Sequence, residues 1–168
     1  MRTAVLSLAT LALLAGHATA QGKPTFAGNW TLNTEKSDPM GGGPGGGGGG
    51  GGRGMGMGSA PLAITQTGDK LVIEIKSATP RTMTYALDGT ESVNPGMRGA
   101  ETKSKARWEG ESLVIESTTA MSTPNGDVTI TTKEVRTVSA DGTMMTVVTT
   151  TQTPMGERTM KRVYDKQQ

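Results

Sequence analysis

The sequence predicts an all-β protein, an antiparallel up-and-down meander of about eight to ten strands closing into a barrel. Three observations carry that expectation. Turn dipeptides recur at Gly68-Asp69, Asp88-Gly89, Asn125-Gly126 and Asp141-Gly142, with looser breaks at Pro80, Pro95-Gly96, Glu109-Gly110 and Pro154-Met155-Gly156. The segments between them are rich in Thr, Val and Ile, which fit a pleated surface. Nothing after Pro61 shows a sustained 3.6-residue apolar period. So many strands joined by tight turns avoid exposed edges most simply by closing on themselves.

The strands are expected, in order, over 28–33, 62–67, 70–77, 82–88, 90–94, 101–108, 111–120, 127–138, 143–153 and 157–165. Alternation assigns their faces, because successive side chains of a strand point to opposite sides. Trp30 and Leu32 share one face of the first strand, with Phe26 just ahead of it. Leu71, Ile73 and Ile75 oppose Glu74 and Lys76, and Met83, Tyr85 and Leu87 oppose Thr82 and Thr84. Ala106 and Trp108 oppose Lys105 and Arg107, while Leu113 and Ile115 oppose Glu116. Strand 143–153 has two competing phases, Met145 with Val147 or Met144 with Val148.

Composition excludes whole classes of chemistry. There is no cysteine, so there is no disulfide framework, thiolate nucleophile or Cys-ligated metal. The single histidine, His17, lies in a segment expected to be removed. Residues 1–20 have an early Arg2, an apolar run from Val5 to Ala15, and small residues at Ala18 and Ala20. That is the layout of a secretory signal peptide cleaved after Ala20, and it implies a periplasmic or secreted protein. The run is too short for a membrane span, which needs about 20 residues. The remaining chain carries 16 basic and 15 acidic residues, too even a balance for a nucleic-acid partner. Without His or Cys, and with acidic residues mostly in turns or on outward faces, no acid/base pair is assembled, and a non-enzyme is expected with no cofactor and no metal.

The first strand and its following turn occupy 21–40. A glycine-rich stretch then covers 41–60, and within 41–58 it has 14 glycines in 18 residues. Such a stretch cannot bury enough apolar surface to order itself, so a flexible linker is expected. It lacks the Lys-Ser/Thr pair and following helix of a phosphate loop. The main strands occupy 61–168 and form a single domain with 24–38.

Two stretches resemble the calycin superfamily, and within it the fatty-acid-binding proteins. Phe26-Ala27-Gly28-Asn29-Trp30-Thr31-Leu32 is similar to their F-x-G-x-W-x-L opening, and its G-x-W core is also the lipocalin signature. Arg162-Val163-Tyr164 is similar to the R-x-Y of their last strand. The run from Gly28 to Asp38 also resembles the opening of small exported bacterial proteins described as lipocalin-like. In place of the family's helix-turn-helix lid, this chain has the glycine stretch.

The resemblance implies a small apolar or carboxylated ligand, with Arg162 and Tyr164 holding its carboxylate. On residue chemistry alone, Arg supplies a planar fork of donors and Tyr one more. Arg136 is a candidate second anchor, and Trp30, Ile73, Tyr85, Trp108 and Ile115 are candidates for the apolar lining. Three structural alternatives stand beside this. Glu134 shares the parity of Arg136, so an internal Glu134–Arg136 or Glu134–Arg162 ion pair is one. A bulge near Lys133 that flips the strand phase is another. The third, implied by lipocalins, is Trp30 packed against Arg158 or Arg162 to close the barrel end. A filled barrel serving as a structural or protein-interaction module of the cell envelope is the alternative function.

Overall fold

A computed structural model describes residues 22–39, 59–96, 99–124 and 126–168. The leader expected at 1–20 and the glycine stretch at 41–58 lie outside the described residues. Among the described residues ten strands follow one another: β1 (Gly28–Asn33), β2 (Leu62–Thr67), β3 (Lys70–Ile75), β4 (Arg81–Ala86), β5 (Asp88–Pro95), β6 (Glu101–Glu109), β7 (Ser112–Thr123), β8 (Gly126–Val138), β9 (Met144–Thr153) and β10 (Gly156–Lys166). They form one antiparallel sheet in the order β4-β3-β2-β1-β10-β9-β8-β7-β6-β5. Consecutive strands pair throughout except at β4–β5, and β1 pairs with β10 to join the first strand to the last, with Trp30 opposite Lys166 and Leu32 opposite Tyr164.

The expected turns at Gly68-Asp69, Glu109-Gly110 and Asp141-Gly142 fall at the junctions between successive strands, while Asp88-Gly89 opens β5 and Asn125 lies outside the described residues. Gly68, Gly110 and Gly142 have positive φ, the conformation that tight strand connections demand and glycine adopts without a Cβ clash. The register of β7, β8 and β9 runs without a slip, so no bulge displaces the phase near Lys133. The competing phases of β9 are settled by packing, since Met145 and Val147 are buried inside the barrel.

Closure is nearly complete. No backbone ladder joins β4 to β5 in the sheet, and side chains bridge that seam instead. Thr84 N–H donates to Asn94 Oδ1 at 2.7 Å, Asn94 Nδ2 donates to the Thr84 carbonyl at 2.9 Å, and Ala86 N–H donates to Ser92 Oγ at 2.9 Å. Asn94 imitates a peptide unit here, supplying the donor and acceptor that a neighbouring strand would supply. It is buried, as such a substitute must be to hold the edge against water.

The core gathers at one end of the barrel. Phe26, Trp30, Leu71, Leu113 and Met145 are wholly buried there, together with Ile64, Ile73, Tyr85 and Ile115. The opening motif is what seals this end. Trp30 Nε1 donates to the Phe26 carbonyl at 2.8 Å, and Phe26 N–H donates to Gln66 Oε1 at 2.8 Å. Phe26 stacks on Trp108 with ring centroids 5.7 Å apart. Beyond β1, the chain turns back onto β10. Asn33 Oδ1 accepts from the Glu35 and Lys36 amides, while its Nδ2 donates to Asp165 Oδ2 at 2.7 Å. Val163 N–H donates to Ser37 Oγ and Lys161 N–H to Asp38 Oδ2. The N-x-E-K-S-D run is thus a brace that ties the first strand to the last.

Candidate functional site

Cross-strand pairing places the inward residues in rows. The lowest relevant row runs Trp108–Leu113–Arg136–Val147–Arg162 across β6 to β10, and the next runs Ala106–Ile115–Glu134–Thr149–Met160. Above them the inner wall changes character, because Ser104–Ser117–Thr132–Thr151 continues it in hydroxyls. Those hydroxyls bond one another across strands, Ser104 to Ser117 at 2.9 Å and Thr102 to Thr119 at 2.7 Å. The two arginines therefore stand at the boundary between an apolar floor and a hydroxyl-bearing upper wall.

Arg136 is buried, and Glu134 Oε1 accepts from both its Nε and its Nη2 at 2.5 Å. Of the alternatives drawn from the sequence, the Glu134–Arg136 pair is the one the structure contains. Burial opposes the charge on Arg136, but the Glu134 carboxylate outweighs it and holds the guanidinium more firmly protonated than usual. Arg162 is placed differently. Its Nε is buried with no hydrogen-bond partner, and among the described residues it has no carboxylate partner. Tyr164, two residues on and facing the same way, is buried. Burial raises its hydroxyl pKa, partly offset by the Arg136 and Arg162 cations, so the phenol stays a neutral donor. Tyr85 is pushed up further, mainly by burial and then by Glu134.

The remaining candidates fall in two groups. Trp30, Ile73, Tyr85 and Ile115 belong to the packed apolar cluster at the floor. Trp108 is half-buried at its edge, stacked on Phe26 and capped by Lys23 Nζ 5.4 Å from its ring centre. The expected Trp30 contact with Arg158 or Arg162 is corrected. The cation over Trp30 is Lys166, with Nζ 5.5 Å from the ring centre, because β1 lies opposite the end of β10 and Lys166 is its direct partner. Arg158 is exposed four residues before Arg162 on the same strand.

A groove of about 570 Å³ also opens on the outside of the wall, between side chains such as Lys103, Lys105, Glu116, Lys133 and Gln152. Its polar groups largely answer one another, as in Lys103–Glu91 at 3.9 Å and Gln152–Glu157 at 3.0 Å. Arg107, next to it, holds Glu116 through two hydrogen bonds and lowers that carboxyl's pKa.

No family model matches the sequence, and no curated protein matches it. Solved structures do. The zebrafish ileal bile acid-binding protein complexed with cholic acid superposes with a TM-score of 0.54 at 17% identity, over 84% of this chain and 98% of that one. A REP1-NXSQ fatty acid transporter superposes with a TM-score of 0.53 at 15% identity, covering 84% and 96% of the two chains. A single-residue mutant of that transporter gives 0.53 at 14% identity, covering 84% and 97%. Identities this low speak to architecture alone, and the architecture is plain: this chain folds as an antiparallel up-and-down β-barrel similar to those of these two proteins.

Proposed function

We propose that this protein is an exported, non-enzymatic barrel that binds a small carboxylate-bearing amphiphile. The observation that carries the reading is the buried, unpartnered Nε of Arg162 beside the Tyr164 hydroxyl, on the inner wall. An unpaired buried donor on a cation costs stability, and an incoming carboxylate removes that cost while gaining charge-assisted bonds. The similarity to one barrel complexed with cholic acid and another described as a fatty acid transporter supports the same ligand class. The leader expected at 1–20 supports export.

Displacement of a fluorescent fatty acid tests it. Wild type is expected to bind an acyl carboxylate at micromolar concentration, and Arg162→Gln to weaken it by roughly tenfold or more. Failure of any acyl ligand to bind at tens of micromolar, with Arg162→Gln altering only the melting temperature, overturns the reading. The dense floor cluster around Trp30 and Leu113 favours a second reading, a filled barrel acting as an envelope interaction module. Absence of acyl binding would favour it, and capture of a protein partner by the folded barrel would establish it.

A further inference from the structure

Two guanidinium-bearing residues flank Val147 on the inner wall, Arg136 on β8 and Arg162 on β10. With strands about 4.8 Å apart, their backbones are roughly 10 Å from each other, close enough for both to reach one ligand carboxylate. They are not equivalent. Arg136 is neutralised by Glu134 from its own strand and rests Nη1 on Met145 Sδ at 4.0 Å. Arg162 has a bare Nε.

We propose that Glu134 is the specificity-setting residue of the barrel: its carboxylate occupies Arg136 from within, leaving Arg162 with Tyr164 as the pair that receives a ligand. The proposal rests on the binding reading above and sharpens it. The wall then presents one net positive charge at this level, suited to a monoanion held through a single arginine. A ligand carboxylate reaching for Arg136 would lie beside Glu134, and at about 6 Å in a medium of effective dielectric near 20 that repulsion is worth roughly a hundredfold in affinity. Arg136 cannot release Glu134 cheaply, because a buried guanidinium left without its counter-ion is strongly destabilised.

The experiment titrates cis-parinaric acid and its methyl ester by fluorescence into wild type, Glu134→Gln, the double variant Glu134→Gln/Arg136→Gln, and Arg162→Gln. Glu134→Gln frees a second cation, so the acid is expected to bind at least tenfold tighter while the ester is unchanged. The double variant removes both charges together and is expected to keep the preference for acid over ester. Arg162→Gln is expected to abolish that preference. If Glu134→Gln fails to fold by circular dichroism, the double variant decides alone. The proposal is overturned if the double variant loses the acid preference, which would make Arg136 a direct anchor, or if folded Glu134→Gln binds the acid no tighter than wild type. Either result leaves the binding function standing. Wild type binding neither probe would instead remove the binding function, and this inference with it.

Discussion

Replacing Asn94 with leucine, which is similar in size, isolates the seam between β4 and β5. The change deletes the bonds at 2.7 and 2.9 Å and leaves the Thr84 N–H and carbonyl facing an apolar side chain. Each unsatisfied backbone group costs about 1–3 kcal/mol. Thr84 is only half-buried, so water can compensate in part, and the sum is expected at about 2–4 kcal/mol. For a domain of this size roughly 4 °C of melting temperature accompanies each kcal/mol, giving a drop of about 8–16 °C. Thermal melting by circular dichroism reads the global effect, and hydrogen exchange at the Thr84 and Ala86 amides reads the local one. Asn94→Asp sharpens the test. Its carboxylate still accepts from Thr84 N–H but turns a negative charge on the Thr84 carbonyl. Burial then raises the folded-state pKa of the new acid, so the variant is weakest at neutral pH and regains stability as the pH falls and the carboxyl becomes a donor. A leucine variant melting within about 2 °C of wild type, with Thr84 still protected, would falsify the idea that this side chain stands in for a strand.

Two further outcomes are expected. Asp141 accepts from Ser139 Oγ and the Thr143 amide, which lower its pKa from 3.8 to about 2. A depressed carboxyl adds stability above its unfolded pKa and loses it as the pH falls through the folded one, so Asp141→Asn should melt lower at neutral pH and match wild type near pH 2. Gly28 has φ +137, and a Cβ there would stand 2.6 Å from Lys166 Cε. Gly28→Ala should cost about 1–3 kcal/mol in backbone strain and shift tryptophan emission as Lys166 leaves Trp30. Recovery of the full loss in a Lys166→Ala background would show that crowding, not φ, is the cause.

Strand positions are readable from the sequence because turn chemistry is local. Gly-Asp, Asp-Gly and Asn-Gly mark the reversals, and two-residue alternation between them fixes which side faces in. The alternation fails in β9, where Met144, Met145, Val147 and Val148 are all apolar, and only burial against Tyr164 and Arg136 chooses between them. Asn94 carries no signal at all. A polar residue in a short strand reads as solvent-facing, and its role exists only because β4 and β5 come together without a ladder. The arginine site is half-legible. Parity puts Glu134, Arg136, Arg162 and Tyr164 on the inner wall, but the partner of Glu134 depends on side-chain reach within β8, which parity does not specify. The partner of Trp30 is hidden by a matter of register, since the alignment of β1 on β10 decides whether an indole meets Arg162 or Lys166.

The brace between β1 and β10 has a consequence for the order of assembly. β1 is made early, yet its hydrogen-bonded neighbour over Trp30–Asn33 is Val163–Lys166, and the Asn33–Asp165 bond alone spans 132 positions of the chain. Pairings of such sequence separation form late and place a chain among the slower folders, on a scale of roughly milliseconds to seconds. Until β10 arrives, Leu32 lacks Tyr164 and β1 presents a bare edge. A chain halted before Val163 should therefore be an aggregating species rather than a slightly shortened barrel.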